Sequence, residues 1–349
     1  MPRMDEPTAP EPTSALGTAI GSRRGESARI RALRPSKNPV DPFVPHRHLW
    51  EEERAHDGGA RRVLTIFLTG AECPFTCLFC DLWRGTLDGP TPEGAIPAQI
   101  DYVLEQGSPS PVGAALKLYN ASNFFDARAV PPADHARICD LAAPFARVTV
   151  ECHPRLIAPR RGTLPLGADL CIRFADRLDG DLEVAMGLET VHPGVFPRLN
   201  KGMEIADFDR AADFLRAHGI SVRAFVLLGL PFVSAHEGRA WAVRSATHAF
   251  EAGADRVSLI PLRPGNGALD LLGAGGELDR VRLEDLEETL EDALMEATAL
   301  GGGIVEADLW DAGALSDCDS CLDARIRRLA AMNATGTVLP RTSCADCGS

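Results

Sequence analysis

The chain has 349 residues, 45% of them apolar and 24% charged, with a net charge of −13 from 36 basic and 49 acidic side chains. That length suits one large α/β domain with appendages or two modest domains, and no apolar run approaches the ~20 residues that cross a bilayer. Residues 1–40 carry a basic excess, so the remaining body is more acidic still and a poor electrostatic partner for a polyanion such as nucleic acid. With no apolar h-region at the N-terminus, the ten cysteines argue for reduced thiols and metal sites rather than disulfides. The cytoplasm is the expected location.

In chain order, residues 1–45 are rich in Pro, Arg, Ser and Ala and read as largely disordered, with a short arm near Ile20–Leu33. From Arg62 the pattern becomes strand, turn and helix, repeated. Six strands are expected, at 63–68, 114–119, 148–150, 182–188, 222–228 and 256–260. Helical periodicity falls between them at 97–106, 132–143, 207–218 and 236–252, and after the sixth strand at 281–300. In the third helix Asp207 is placed to cap, Phe208, Ala211, Ala212 and Leu215 line one face, and Gly219 ends it. Strands alternating with helices mean βαβ units and a parallel sheet. The expected fold is α/β: a partial (β/α)6 TIM-like barrel over 46–300 with a Cys-rich C-terminal extension over 301–349. Its functional groups belong on the loops that follow the strands.

The loop after the first strand reads Glu72-Cys-Pro-Phe-Thr-Cys-Leu-Phe-Cys-Asp81. Three thiolates at Cys73, Cys77 and Cys80 can hold three corners of a four-iron cubane and leave the fourth iron open to a small molecule. The plain alternatives are zinc with a distant fourth ligand, or unrelated buried thiols. Zinc sites usually bring cysteines in C-x-x-C pairs, which this triplet is not. After the third strand, Glu151 and His153 alternate around Cys152, so both are expected to face the barrel interior, where they could position substrate or move a proton. The alternative is that they simply hydrogen-bond each other and a strand end.

The Cys triplet, with Phe79 before its last member, resembles the signature of radical S-adenosylmethionine (SAM) enzymes. The wider set is Trp50-Glu51 to Arg54, Leu64-Thr65, Lys117 to Asp126, Glu151, Gly187-Leu-Glu-Thr190 and Asn200-Lys-Gly202. It is similar to the branch of that superfamily that includes the elongator catalytic subunit and the radical SAM subunit of archaeosine synthase. The resemblance runs from about Trp50 to Pro264 and implies a radical SAM barrel, a [4Fe-4S] cluster on Cys73, Cys77 and Cys80, and reductive cleavage of SAM to a 5′-deoxyadenosyl radical that abstracts hydrogen from a substrate. It also implies an external electron donor of the flavodoxin or ferredoxin type. Ser122 and Asn123 stand where relatives have a Gly-rich turn for the SAM ammonium. Glu189 would accept from the ribose diol, Lys201 would meet the SAM carboxylate, and Phe79 would pack on adenine. Relatives act on a tRNA base, which the acidic body argues against; a small metabolite or peptide is the alternative substrate. A non-catalytic iron–sulfur redox sensor or electron carrier is the alternative from another class.

Near the C-terminus, Cys318-Asp-Ser-Cys321 and Cys344-Ala-Asp-Cys347 form two C-x-x-C pairs, strong spacing for a four-thiolate metal site. Zinc and an auxiliary iron–sulfur cluster both suit it. Cys139, Cys152 and Cys171 read as small buried side chains.

Overall fold

A computed structural model describes residues 23–107, 109–160 and 162–348. Eight strands make one sheet in sequence order. They are β1 (Arg47–Arg54), β2 (Ala60–Leu68), β3 (Ala115–Asn120), β4 (Arg147–Glu151), β5 (Asp181–Glu189), β6 (Ser221–Leu228), β7 (Arg256–Pro261) and β8 (Ile304–Ala307). β1 runs antiparallel to β2, and every later pair is parallel. The helices are α1 (Arg23–Ala32), α2 (Ala95–Leu104), α3 (His135–Ala142), α4 (Pro154–Ile157), α5 (Leu166–Arg177), α6 (Ile205–Ala217), α7 (Ala235–Glu251), α8 (Ala268–Ala274), α9 (Leu283–Ala299) and α10 (Asp319–Thr335). The result is an incomplete α/β barrel with a cysteine cluster near its C-terminus.

The strand pleat sorts the side chains onto two faces. Outward, Leu64, Ile66, Leu116, Leu118, Val148 and Val150 are fully buried in one core with Ile96, Ile100, Ile138 and Phe174 from the helices. Inward, alternating positions carry charge. Arg223 bonds Glu53 and Glu183 at 2.9 Å and Glu306 at 2.7 Å, while Lys117 pairs with Glu51 and Glu53. Burial would raise the Glu53 carboxyl, but the facing Arg223 and Lys117 hold it well below the usual range.

Six strands were expected, and each is present to within three residues at either end. The sheet is larger by β1 and β8. β1, Arg-His-Leu-Trp-Glu-Glu-Glu-Arg, lacks a continuous apolar run because its inward glutamates answer Lys117 and Arg223. Asp207 is not the cap of α6. Glu204 holds that position, and the Asp207 carboxylate accepts the Glu204 N–H at 3.0 Å from the third helical position, a capping box.

The arm expected to be largely disordered is ordered from Arg23 onward. α1 buries Ile30 against Leu78, Leu199 and Leu230, and Arg34 and Lys37 both pair with Glu72 at 2.7 and 2.8 Å. Its composition concealed this because its partners lie far along the chain. Residues 1–22 lie outside the described residues. Cys139, Cys152 and Cys171 are buried, as expected.

Candidate functional site

The parallel strands end on one face, and their following loops converge there. β2 delivers the cysteine loop, which is tied down on several sides. Thr69 N–H donates to Gln99 Oε1 of α2 at 2.8 Å, and Gln99 Nε2 donates back to Thr69 O. Leu78, fully buried, donates its N–H to Leu199 O at 2.9 Å. Asn200 Nδ2 donates to Thr76 O at 2.7 Å, and Asn266 Nδ2 donates to Leu78 O at 2.8 Å and Cys80 O at 3.4 Å. Short polar side chains thus satisfy carbonyls that an irregular loop cannot pair with itself.

Cys73, Cys77 and Cys80 are half-buried and not in disulfides. Desolvation pushes all three thiols up, Cys80 to about 12. Only a strongly positive partner such as a metal centre would turn them into thiolate ligands at neutral pH. Asn123 Nδ2 lies 3.4 Å from Cys73 Sγ, and Asn123 Oδ1 accepts the His153 N–H at 2.7 Å. Asn123 therefore braces the first cysteine with both ends of its amide.

Beside the thiols, Lys201 Nζ pairs with Glu189 Oε1 at 2.6 Å, both side chains nearly inaccessible. Burial would lower the Lys201 ammonium, but the Glu189 carboxylate, together with the neighbouring Cys77 and Cys73, raises it. Glu189 sits at φ 67, left-handed backbone at the register shift between β5 and β6. Gly187 makes room for the pair, since a Cβ there would collide with Glu189 Oε1 and Lys201 Nζ. Lys201 Nζ also lies 5.9 Å from the Phe79 ring, which is half-buried against the Leu78 cluster.

At the neighbouring strand ends, the Ser122 hydroxyl and both ends of the Asn120 amide are buried without a hydrogen-bond partner. Unsatisfied buried polar groups are uncommon and mark strain or a ligand position. Glu151 closes β4 and accepts the Asn120 N–H at 3.1 Å. Part of it stays accessible, yet the surrounding protein desolvates its carboxyl and pushes it up to about 8. Phe67, Tyr119 and Phe225 form an edge-to-face row across β2, β3 and β6.

His153 does not share the interior with Glu151 as the alternation suggested, because β4 ends at Glu151 and the pleat goes no further. Its ring stacks on Phe75 of the cysteine loop at 3.8 Å and 14°. Nδ1 accepts the Arg155 N–H at 3.2 Å, which leaves Nε2 to donate to Lys201 O at 3.0 Å. Burial and the Lys201 charge hold its pKa well below 6.5. Both imidazole nitrogens are thus engaged by backbone, and the ring packs on the cysteine loop. The sequence reading missed Phe75 as its partner and did not single out Asn266.

The four C-terminal cysteines also meet. Cys318 caps the start of α10 and Cys321 lies in its first turn, while Cys344 and Cys347 arrive on the tail. The Sγ atoms stand 4.0 Å apart for Cys318 and Cys344 and 3.8 Å for Cys321 and Cys347. All four lie within 4.8 Å of one another, a group able to hold a metal ion.

No family model matches the chain. Protein YhcC of Escherichia coli K12 is 28% identical over 118 residues, 34% of this chain and 37% of that protein's length. The uncharacterised protein MJ0550 of Methanocaldococcus jannaschii is 23% identical over 258 residues, 70% of this chain and 66% of its own length. The chain thus spans less than two thirds of either relative. Among solved structures, an N-terminally truncated archaeal Elp3 of Methanocaldococcus infernus is similar over 81% of this chain and 65% of its own, at 13% identity and TM-score 0.47.

Proposed function

We propose that the chain is a radical SAM enzyme acting at the open face of its barrel. The observation that carries this reading is the set of three half-buried thiols in one braced loop, with the Lys201–Glu189 pair beside them. Cys73, Cys77 and Cys80 would hold a [4Fe-4S] cluster. When bound, that cluster supplies the electron, drawn from an external donor, that splits SAM and so generates the radical that takes hydrogen from the substrate.

The chain's own residues do the positioning. Lys201 offers the SAM carboxylate a cation held charged by Glu189, and the unpartnered Ser122 hydroxyl can accept from the SAM ammonium. Glu189 keeps one oxygen for a ribose hydroxyl after pairing with Lys201, and Phe79 offers a face to adenine. The substrate lies over Phe67, Tyr119 and Phe225. There Glu151, protonated below about pH 8, donates a hydrogen bond to it. The net charge of −13 favours a small metabolite or peptide over tRNA.

Anaerobic reconstitution with iron and sulfide, then SAM and dithionite, should yield 5′-deoxyadenosine. Cys77→Ala should reduce the yield to background, measured by chromatography against the parent. If a fully iron-loaded parent makes none, the chain is a sensor or carrier and the enzymatic reading fails.

A further inference from the structure

The C-terminal cysteine group has a geometry of its own, independent of the radical SAM reading. Sulfurs bound 2.3 Å from one tetrahedral ion stand about 3.8 Å apart. The observed separations of 3.8 and 4.0 Å, with all four within 4.8 Å, match that edge. In a cubane each thiolate binds a different iron, which spreads the sulfurs well beyond a shared-ion edge. Among the described residues, Cys73, Cys77 and Cys80 form no group so tight. The sulfurs are also far beyond the ~2.05 Å of a disulfide bond. We infer that Cys318, Cys321, Cys344 and Cys347 bind a single zinc ion, and that this ion fastens the helix closing the barrel's open side.

The position of α10 gives the ion its purpose. The sheet begins at β1 and ends at β8, and α10 packs against both. Leu329 and Met332 are fully buried there. Asn333 presents its side-chain amide to the free edge of β8 as a strand would. Nδ2 donates to Ala307 O and Oδ1 accepts the Ala307 N–H, each at 2.8 Å. The tail after α10 then returns along the same helix. Arg328 donates to Leu339 O and Pro340 O, and Arg341 grips Glu291. Residues 340–348 bury no apolar side chain, so polar contacts and the thiol group alone hold this end. Four protein ligands leave no open position, which suits a structural ion and not a catalytic one.

The test uses the full-length chain carrying Cys73→Ala, Cys77→Ala and Cys80→Ala, so that it fails or succeeds apart from the radical SAM reading. Purified from medium containing both metals, it should hold about one zinc per chain, little iron and no acid-labile sulfide. Cobalt titration of the metal-stripped protein should saturate at about one equivalent, with the intense visible bands of a tetrahedral thiolate site. Adding Cys321→Ser should lower zinc content at least about tenfold. Stripping the ion should also speed amide exchange in α10 at least about tenfold while leaving β3 and β4 protected. About four irons with matching sulfide would overturn the inference, as would a metal-free protein carrying Cys318–Cys344 and Cys321–Cys347 disulfides. If Cys321→Ser does not fold, the cobalt endpoint still decides.

Discussion

At the scale of single residues, Glu151 and His153 stand two positions apart yet have opposite fates. Desolvation raises the Glu151 carboxyl from the ordinary 4.5 to about 8, against one backbone hydrogen bond that lowers it. The unfolded chain sheds this proton through the ordinary range, whereas the folded chain keeps it until about pH 8. The stability that the neutral form confers is therefore full below 4.5 and is lost as pH rises through 8. Glu151→Gln, which keeps an acceptor for the Asn120 N–H, should match the parent in acid and be the more stable of the two at pH 8. Urea unfolding at both pH values checks this; equal midpoints at pH 8 would show that the fold carries the ionised Glu151 carboxylate without cost. His153 was legible as a residue near the site but not in its contacts. The pleat that would have pointed it inward stops before it, and Phe75, the ring it stacks on, is 78 positions earlier in a different loop.

At the scale of elements, the cysteine loop has little regular structure and takes its shape from others. Asn266 is 2% exposed and reaches across 188 positions to the Leu78 carbonyl. Its Oδ1 meanwhile accepts the Leu269 N–H at 2.7 Å at the start of α8. Asn266→Ala would strand the Leu269 N–H and the Leu78 carbonyl, while Cys80 O keeps the Trp83 Nε1–H at 3.1 Å, a cost of about 1–3 kcal/mol. The variant should unfold at lower urea and, after reconstitution, hold less iron per chain than the parent. Unchanged iron content would mean that the loop keeps its shape without that amide. The Pro- and Gly-rich composition of 261–267 favours a turn, but nothing local to it shows that its Asn serves a loop from the other end of the chain.

Across the whole molecule, the strands bury apolar side chains outward and charge inward. Arg223 is almost inaccessible and serves Glu53, Glu183 and Glu306 together. Removing Arg223 leaves Glu53, Glu183 and Glu306 with only Lys117, Arg147 and Arg256 against them in a poorly solvated interior, and breaking such a buried set typically costs about 3–5 kcal/mol. Arg223→Met should destabilise the chain by roughly that amount, read from chemical denaturation, although methionine fills much of the same volume. A loss below about 1 kcal/mol would mean that water reaches these carboxylates. β1 belongs to the same ledger of charges, since Glu51 and Glu53 give that strand its place beside β2.

The amino-acid sequence by itself determined the six central strands, five of the helices that cover them (α2, α3, α6, α7 and α9, but not α5 between β4 and β5), three cysteines on one strand-end loop, and two paired cysteines at the C-terminus. Pleat alternation, helical periodicity and cysteine spacing are local quantities, complete within a few neighbouring residues. Tertiary structure alone decided that Lys201 meets Glu189 beside the thiols, that Phe75 stacks on His153, and that β1 and α10 flank the barrel's open side. It also drew Cys318 and Cys344 to 4.0 Å. Each of these joins groups from different elements, and such contacts form only once the intervening chain has packed.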